Sequence, residues 1–253
     1  MKRKKRIGTA AKAVGCAVLL MISLFPIYWL LAMAIRPTDE MRGHIALIPQ
    51  SLTGMHFAQL FTSENFGQAI MNSLQTTFGS LIISLLAGIC AAYVIARRRF
   101  RFGLKKPMTY WVLLVRVLPP VAFTIPLYIM FNRLGILNTK LPVMLACVLI
   151  NVPLIIWFLI SFFQDLPEEI EESAKVDGAT EWQLFRKIVL PLVAPGIAAV
   201  SMLSFMYAWN EYTYTVIFTR IPANNTVPLA LALLNTEDNL TNFGLVAAGG
   251  VIS

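Results

Sequence analysis

Long uncharged runs alternate with short charged ones along the whole chain. Lys12 and Arg36 enclose 23 uncharged positions, Glu64 and Arg97 enclose 32, Lys140 and Asp165 enclose 24, and Lys187 and Glu211 enclose 23. A helix crossing a hydrocarbon layer of about 30 Å needs about 20 mostly apolar residues, so each run predicts a spanning helix. Between Lys106 and Arg133 the only charge is Arg116, which predicts another. A last apolar run opens near Gly244, ten residues before the end of the sequence. As a helix it would reach about 15 Å, half a bilayer. The expectation is that the natural protein continues beyond Ser253; the alternative is a re-entrant segment buried against a partner. The pattern therefore predicts an all-α, polytopic transmembrane helix bundle in one domain, residues 1–253. Its spans fall near 13–35, 70–96, 107–131, 141–163 and 195–219, with an incomplete sixth at 244–253.

The interval 164–194 is different. Pro167 suits a first helical position, and Glu168, Glu169, Glu171 and Glu172 put negative charge at the positive end of the helix dipole. Gly178 supplies a turn. Thr180 and Gln183 have capping-box spacing for a second short helix, in which Trp182, Leu184, Phe185 and Ile188 form an apolar stripe before Pro191 stops it. On these features alone the segment is either an amphipathic linker on a membrane surface or a docking handle.

Composition agrees with the pattern and adds an orientation. Charged residues make up 13% of the chain and mean hydropathy is +0.69, too apolar for an ordinary soluble domain. With the N-terminus inside, the inner segments hold 15 lysines and arginines and the outer ones five, namely Arg36, Arg42, Arg133, Lys140 and Arg220. The positive-inside rule then predicts a cytoplasmic N-terminus and a cytoplasmic 164–194 loop. The net charge of +8 reflects topology and contact with anionic membrane lipid, not a nucleic-acid footprint. Lys2 to Arg6 followed by an apolar run has the outline of a cleavable signal peptide, but the run is long and carries Pro26 beside Phe25, Tyr28 and Trp29, which predicts a retained helix. Cys16, Cys90 and Cys147 lie inside apolar runs at no metal-ligand spacing and are read as packing residues.

Candidate chemistry is sparse. No Gly-Lys pair occurs, so the chain has no phosphate-binding loop of the usual ATPase kind. His44 and His56 are read as ordinary solvated or interface histidines, and no metal site or catalytic triad is expected. Arg116 stands out, about 15 Å past Lys106 and thus near the middle of a bilayer, where it needs partners or water. Its expected companion is Glu211, within Trp209-Asn210-Glu211-Tyr212. Either the two form a structural lock between the third and fifth spans, or Arg116, Asn151, Tyr207, Asn210 and Glu211 line a polar passage for a solute.

The order Glu172-Ser173-Ala174, three residues, Gly178, nine residues, Ile188-x-Leu190-Pro191 resembles the EAA loop of permease subunits in binding-protein-dependent ABC importers. Asn72-Ser73, Arg116-x-x-Pro119, Pro126-Leu127-Tyr128, Leu134 to Thr139 and Ala208 to Tyr212 look like the smaller permease of maltose-type sugar importers. The resemblance implies ATPase docking through Glu168, Glu172, Ser173, Ala174, Asp177, Gly178, Ile188, Leu190 and Pro191. It implies a second permease as heterodimer partner, two ATPase subunits holding the ATP and magnesium, and an extracytoplasmic solute-binding protein met by the loop Ile221 to Phe243, with Pro222, Asn224, Asn225 and Pro228. It places the chain in a bacterial or archaeal cytoplasmic membrane, without catalytic residues or a cofactor of its own. Ser173 stands where the family usually has alanine. The competing class is a stand-alone secondary transporter coupling ions or protons through Arg116 and Glu211.

Overall fold

The computed structural model describes residues 2–41, 46–97, 105–234 and 243–253, with side chains from Lys12 onward except at positions 105, 106, 108, 109, 113 and 116. Every regular element among them is helical. In chain order these are α1 (Lys2–Ala34), a 3-10 turn (Thr38–Met41), α2 (Met55–Thr62), α3 (Phe66–Arg97), α4 (Lys105–Val117), a 3-10 turn (Pro120–Phe123), α5 (Thr124–Arg133), α6 (Leu141–Gln164), α7 (Glu168–Val176) and α8 (Glu181–Gln183). A π-helical turn (Leu184–Val189) leads into α9 (Leu190–Trp209), followed by α10 (Thr213–Phe218), a 3-10 turn (Pro222–Asn224), α11 (Val227–Leu234) and α12 (Phe243–Ile252). Among the described residues, four helical stretches are long and apolar enough to cross a membrane: Lys12–Ala34, Phe66–Arg97, Leu141–Gln164 and Glu181–Trp209.

Two of the expected spans are interrupted. The stretch 107–131 is broken between Val117 and Thr124. Pro119 and Pro120 lack backbone donors, and each disfavours helical geometry in the residue before it, so α4 must end. The stretch 195–219 starts earlier, at Leu190, stops at Trp209 and resumes as α10. Pro191 does not end the second short helix as expected. Helix continues from Glu181 through Trp209, with Leu184–Val189 widened into a π turn directly before Pro191, where the shifted hydrogen bonding accommodates the missing proline donor.

The chain forms two compact units, Met1–Gln68 with Leu229–Ser253, and Ala69–Pro228. In the first, α12 packs along α1 and α2. Gly244 lies so close to His56 that a β-carbon would overlap the imidazole ring. His56 is buried, its Nε2 2.9 Å from the Arg36 carbonyl oxygen, so of the two expected settings, solvated or interface, it is not the solvated one; His44 lies outside the described residues. Arg36 is also buried, over the Trp29 ring and donating to the Ala46 carbonyl. Glu40, 3.9 Å from Arg36, accepts from the Ser51 hydroxyl and from the Gln50 and Ser51 N–H groups. The Ser51 hydroxyl is the main cause holding its carboxyl below the usual range. Much of α1 exposes apolar side chains such as Leu19, Leu20 and Ile22. In water such a face would be a liability; in lipid it is the expected surface.

Among the described residues of the second unit, two apolar cores stand out. At the α7 end, Ala92, Ile95 and Ala96 of α3 meet Ile155, Leu159 and Phe163 of α6 and Val193 and Val200 of α9, with Ala174, Leu184, Phe185 and Val189 closing the cluster. The other core joins Phe131, Val143, Cys147, Ala208, Tyr214 and Phe218, with the Phe131 and Phe218 rings edge to face at 5.3 Å. Cys147 packs as expected, whereas Cys16 and Cys90 are exposed.

Candidate functional site

The segment α7–α8 is fixed by local chemistry at both ends. Pro167 is the N-cap of α7 rather than its first residue, and Glu168, Glu169 and Glu171 occupy the first turn. The helix ends in a Schellman turn: Ala179 N–H donates to the Ala174 carbonyl at 3.0 Å and Gly178 N–H to the Lys175 carbonyl at 3.1 Å. Gly178 adopts φ 84°, which explains glycine there. Thr180 and Gln183 then form the capping box, with Gln183 N–H donating to Thr180 Oγ1 and Thr180 N–H donating to Gln183 Oε1.

This geometry sorts the nine residues of the docking expectation. Glu168, Glu172, Ser173, Asp177, Gly178 and Pro191 are exposed, Ile188 and Leu190 are half-buried, and Ala174 is buried. Ala174 therefore anchors α7 from beneath and presents no surface of its own. The apolar stripe also divides. Leu184 and Phe185 face the core, whereas Trp182 is 65% exposed; on α7, Val176 is 87% exposed, and Glu172 and Asp177 are exposed as well. Val176 escaped the sequence reading, although its position between Lys175 and Asp177 marked it as an apolar residue in a polar setting. Arg97 and Glu171 escaped as well: their side chains pair at 2.9 Å and are 8% and 14% exposed. A second pair, Lys175 with Glu181, is exposed and adds little.

The residues of the expected passage are partly brought together. Asn151 of α6 is fully buried and its amide donates to the Ser204 carbonyl of α9 at 3.4 Å. Tyr207, one turn further along α9, lines a cavity of about 240 Å³ with Val115, Leu118, Pro120, Ile150, Pro153 and Leu154. Asn210 is exposed and its amide donates to the Met206 carbonyl. Glu211 is buried and works as a helix cap: its carboxylate accepts from Tyr214 N–H at 2.9 and 3.1 Å, from Thr215 N–H at 3.2 Å and from the Thr215 hydroxyl at 3.4 Å. That satisfies the first donors of α10 after the break at Asn210. Tyr214 in turn donates its hydroxyl to the Pro120 carbonyl at 3.0 Å, so the two interrupted helices are bonded break to break. The side chain of Arg116 lies outside the described residues, and with it the expected pair to Glu211.

The stretch 219–228 is held by distant partners. Asn72 of α3 donates to the Ala223 and Asn225 carbonyls, Val227 N–H donates to Ser73 Oγ, and Asn224 donates to the Asn138 carbonyl. Arg220 N–H completes the set on Asn138 Oδ1. Of the expected binding-protein contacts, Asn225 is buried, Asn224 and Pro228 are half-buried, and Pro222 is exposed. Positions 235–242 of that loop lie outside the described residues. Among the described residues no group of three His, Cys, Asp or Glu could hold a metal.

A bundle of apolar helices with two interrupted spans and a capped, surface helical pair defines a multi-pass membrane protein. Residues 84–253 match the family described as binding-protein-dependent transport system inner membrane component, and the chain belongs to that family. It is 30% identical over 231 residues to the trehalose transport system permease protein SugB of Mycobacterium tuberculosis, covering 91% of this chain and 83% of that protein. It is 32% identical to the diacetylchitobiose uptake system permease protein DasC of Streptomyces coelicolor, over 87% of this chain and 80% of DasC. To the inner membrane ABC transporter permease protein YcjP of Escherichia coli it is 30% identical over 99% of this chain and 89% of YcjP. In fold it resembles a chain of a bacterial ABC transporter involved in the import of the acidic polysaccharide alginate, with TM-score 0.82, 19% identity and coverage of 99% of this chain and 92% of that one. A second alginate transporter structure, in complex with an alginate pentasaccharide-bound periplasmic protein, gives TM-score 0.74 at 18% identity over 98% and 89%.

Proposed function

We propose that this chain is a permease subunit of an ATP-driven importer for a sugar or a related polyol or glycoside. The single observation that carries the mechanism is the α7–α8 surface. Its Schellman turn and capping box fix the connection between two short helices, which together expose Val176, Trp182, Glu172 and Asp177. A surface of apolar and acidic groups suits a groove on a cytoplasmic ATPase, with apolar residues supplying affinity and charges the register. ATP and magnesium belong to that partner, since this chain contains no Gly-Lys pair with which to cradle phosphate. The carbohydrate class is supported by the names of the relatives SugB and DasC, which concern trehalose and diacetylchitobiose.

The passage would run with a second permease past Asn151, Tyr207, Asn210 and Arg116, and an external binding protein would deliver solute against the stretch beginning at Pro222. The lysine and arginine distribution supports an N-terminus in the cytoplasm. A stand-alone, ion-coupled transporter is less well supported, because the Glu211 carboxylate is engaged by the N–H groups of α10. The test is affinity purification of the permease with its neighbouring gene products. Retention of an ATPase by the wild type, and its loss when Val176 and Trp182 are changed together to Ser, is expected. Retention unchanged in that double variant would overturn the docking assignment. Ligand screening of the cognate binding protein then names the solute.

A further inference from the structure

We propose that Arg97 is the positioning residue that ties the docking helix α7 to α3, so that a movement imposed on α7 reaches α3 directly. The inference rests on the docking reading above. Chain connectivity joins α7 only to α6 on one side and to α8 and α9 on the other. Arg97, the last residue of α3, closes a third link. Its Nε lies 2.9 Å from Glu171 Oε1 in the first turn of α7, and its Nη2 donates to the Leu166 carbonyl at 2.7 Å, in the elbow between α6 and α7. One guanidinium thus meets the elbow through a hydrogen bond and the helix that leaves it through a sheltered ion pair, which ties α7 to the end of α3.

Tyr93 of α3 also hydrogen-bonds Glu171 through its hydroxyl, and the rest of the interface is apolar and less directional. Tyr93, one turn back on α3, sets its ring 5.5 Å from Phe163 of α6 and 4.9 Å from Phe185 of the π turn. Ala92, Ile95 and Ala96 share a core with Ala174 and Leu184. Packed surfaces of this kind tolerate shears of about 1–2 Å between helices. A sheltered ion pair backed by the hydrogen bond to Leu166 resists them. In the sequence Arg97 opens the run Arg97-Arg98-Arg99 and reads as a topology charge, yet a topology charge needs only water or headgroups, and this side chain is 8% exposed.

The test uses the assembled complex with its ATPases in nanodiscs, native cysteines replaced, and nitroxide labels on cysteines at Val94 of α3 and Glu169 of α7, both exposed. Pulsed electron-spin distances are compared between the resting complex and one trapped with ATP, magnesium and vanadate. In the wild type the distance should stay the same across the two states. Arg97→Ala should let it change by more than about 2 Å, beyond ordinary helix shear, while ATPases remain bound and their hydrolysis loses stimulation by the binding protein. Arg97→Lys, with one point donor in place of a fork, should fall between. The exchange Arg97→Glu with Glu171→Arg should restore part of the wild-type behaviour, because the ion pair is remade while the Leu166 and Tyr93 contacts stay lost. If both Arg97→Ala and Arg97→Lys keep the wild-type distances, the Arg97 inference falls and docking stands. If the wild-type permease retains no ATPase, the docking reading falls and takes this inference with it.

Discussion

The α7–α8 surface and the stretch 219–228 are both short, polar connections between apolar helices, and they are ordered in opposite ways. The first is held by contacts between near neighbours in sequence: Ala179 to Ala174, Gly178 to Lys175, Gln183 to Thr180. The second is held by groups 82 to 154 residues away, Asn138, Asn72 and Ser73. Caps and turns fix a shape that travels with its own backbone. Such a segment can be pushed as one piece, which is what a coupling element requires. A stretch stitched to distant helices instead shares their fate: it moves only if they do. Arg97 is the place where the α7–α8 surface acquires a distant bond of the second kind.

Four substitutions would break or sharpen this contrast, taken from the largest expected effect to the smallest. Asn72→Leu strands the carbonyls of Ala223 and Asn225 without donors and should cost about 2–3 kcal/mol, the penalty for unsatisfied polar groups in a sheltered site. Thermal unfolding of the purified complex should show it as a lowered Tm with ATPase retention unchanged. A wild-type Tm would mean that the stretch is not held from a distance.

Gly178→Leu should cost about 1–2 kcal/mol, because a side chain at φ 84° meets the left-handed penalty. Here the reverse signature is expected, with weakened ATPase retention and little change in the unfolding of the membrane helices. Gly178→Asn, which tolerates that backbone, should lose less, and equal loss in the two variants would place the effect elsewhere than in the turn.

Thr180→Ala removes one half of the capping box and should cost about 1 kcal/mol, while Thr180→Ser should stay near wild type. The readout is the concentration at which ATPase dissociates from the immobilised permease. Asn138→Gly is the mildest. Glycine accepts φ 64° freely, so only the acceptor for Arg220 N–H is lost, for about 0.5–1 kcal/mol. Asn138→Val, which adds backbone strain to that loss, should unfold at a clearly lower temperature than Asn138→Gly; coincident melting curves would show that the turn is slack.

How much could be read beforehand follows the same division. The all-helical membrane class came from the spacing of charges, because a bilayer imposes a length on every uncharged run. The helical pair came from Pro167, Gly178, Thr180 and Gln183, since caps and turns act within four or five residues and leave their signature in adjacent letters. The breaks were within reach at Pro119-Pro120, where two missing donors adjoin, but the apolar count across 107–131 outweighed them. At Asn210 no local breaker exists, and the interruption is stabilised by Glu211 capping α10 and by Tyr214 reaching Pro120, 94 residues away.

What the tertiary structure alone decided is which charges are buried and with whom. Arg97, Glu171, Arg36 and Glu211 look in sequence like boundary charges or members of a passage; Arg97 and Glu171 meet only when helices far apart in the chain converge, and Arg36 and Glu211, though bonded to near neighbours, are buried by the packing around them. Composition and spacing determine what a segment must do by itself, cross a bilayer, turn or stop. The cost of leaving a polar group unpaired is set by neighbours that a linear pattern does not name.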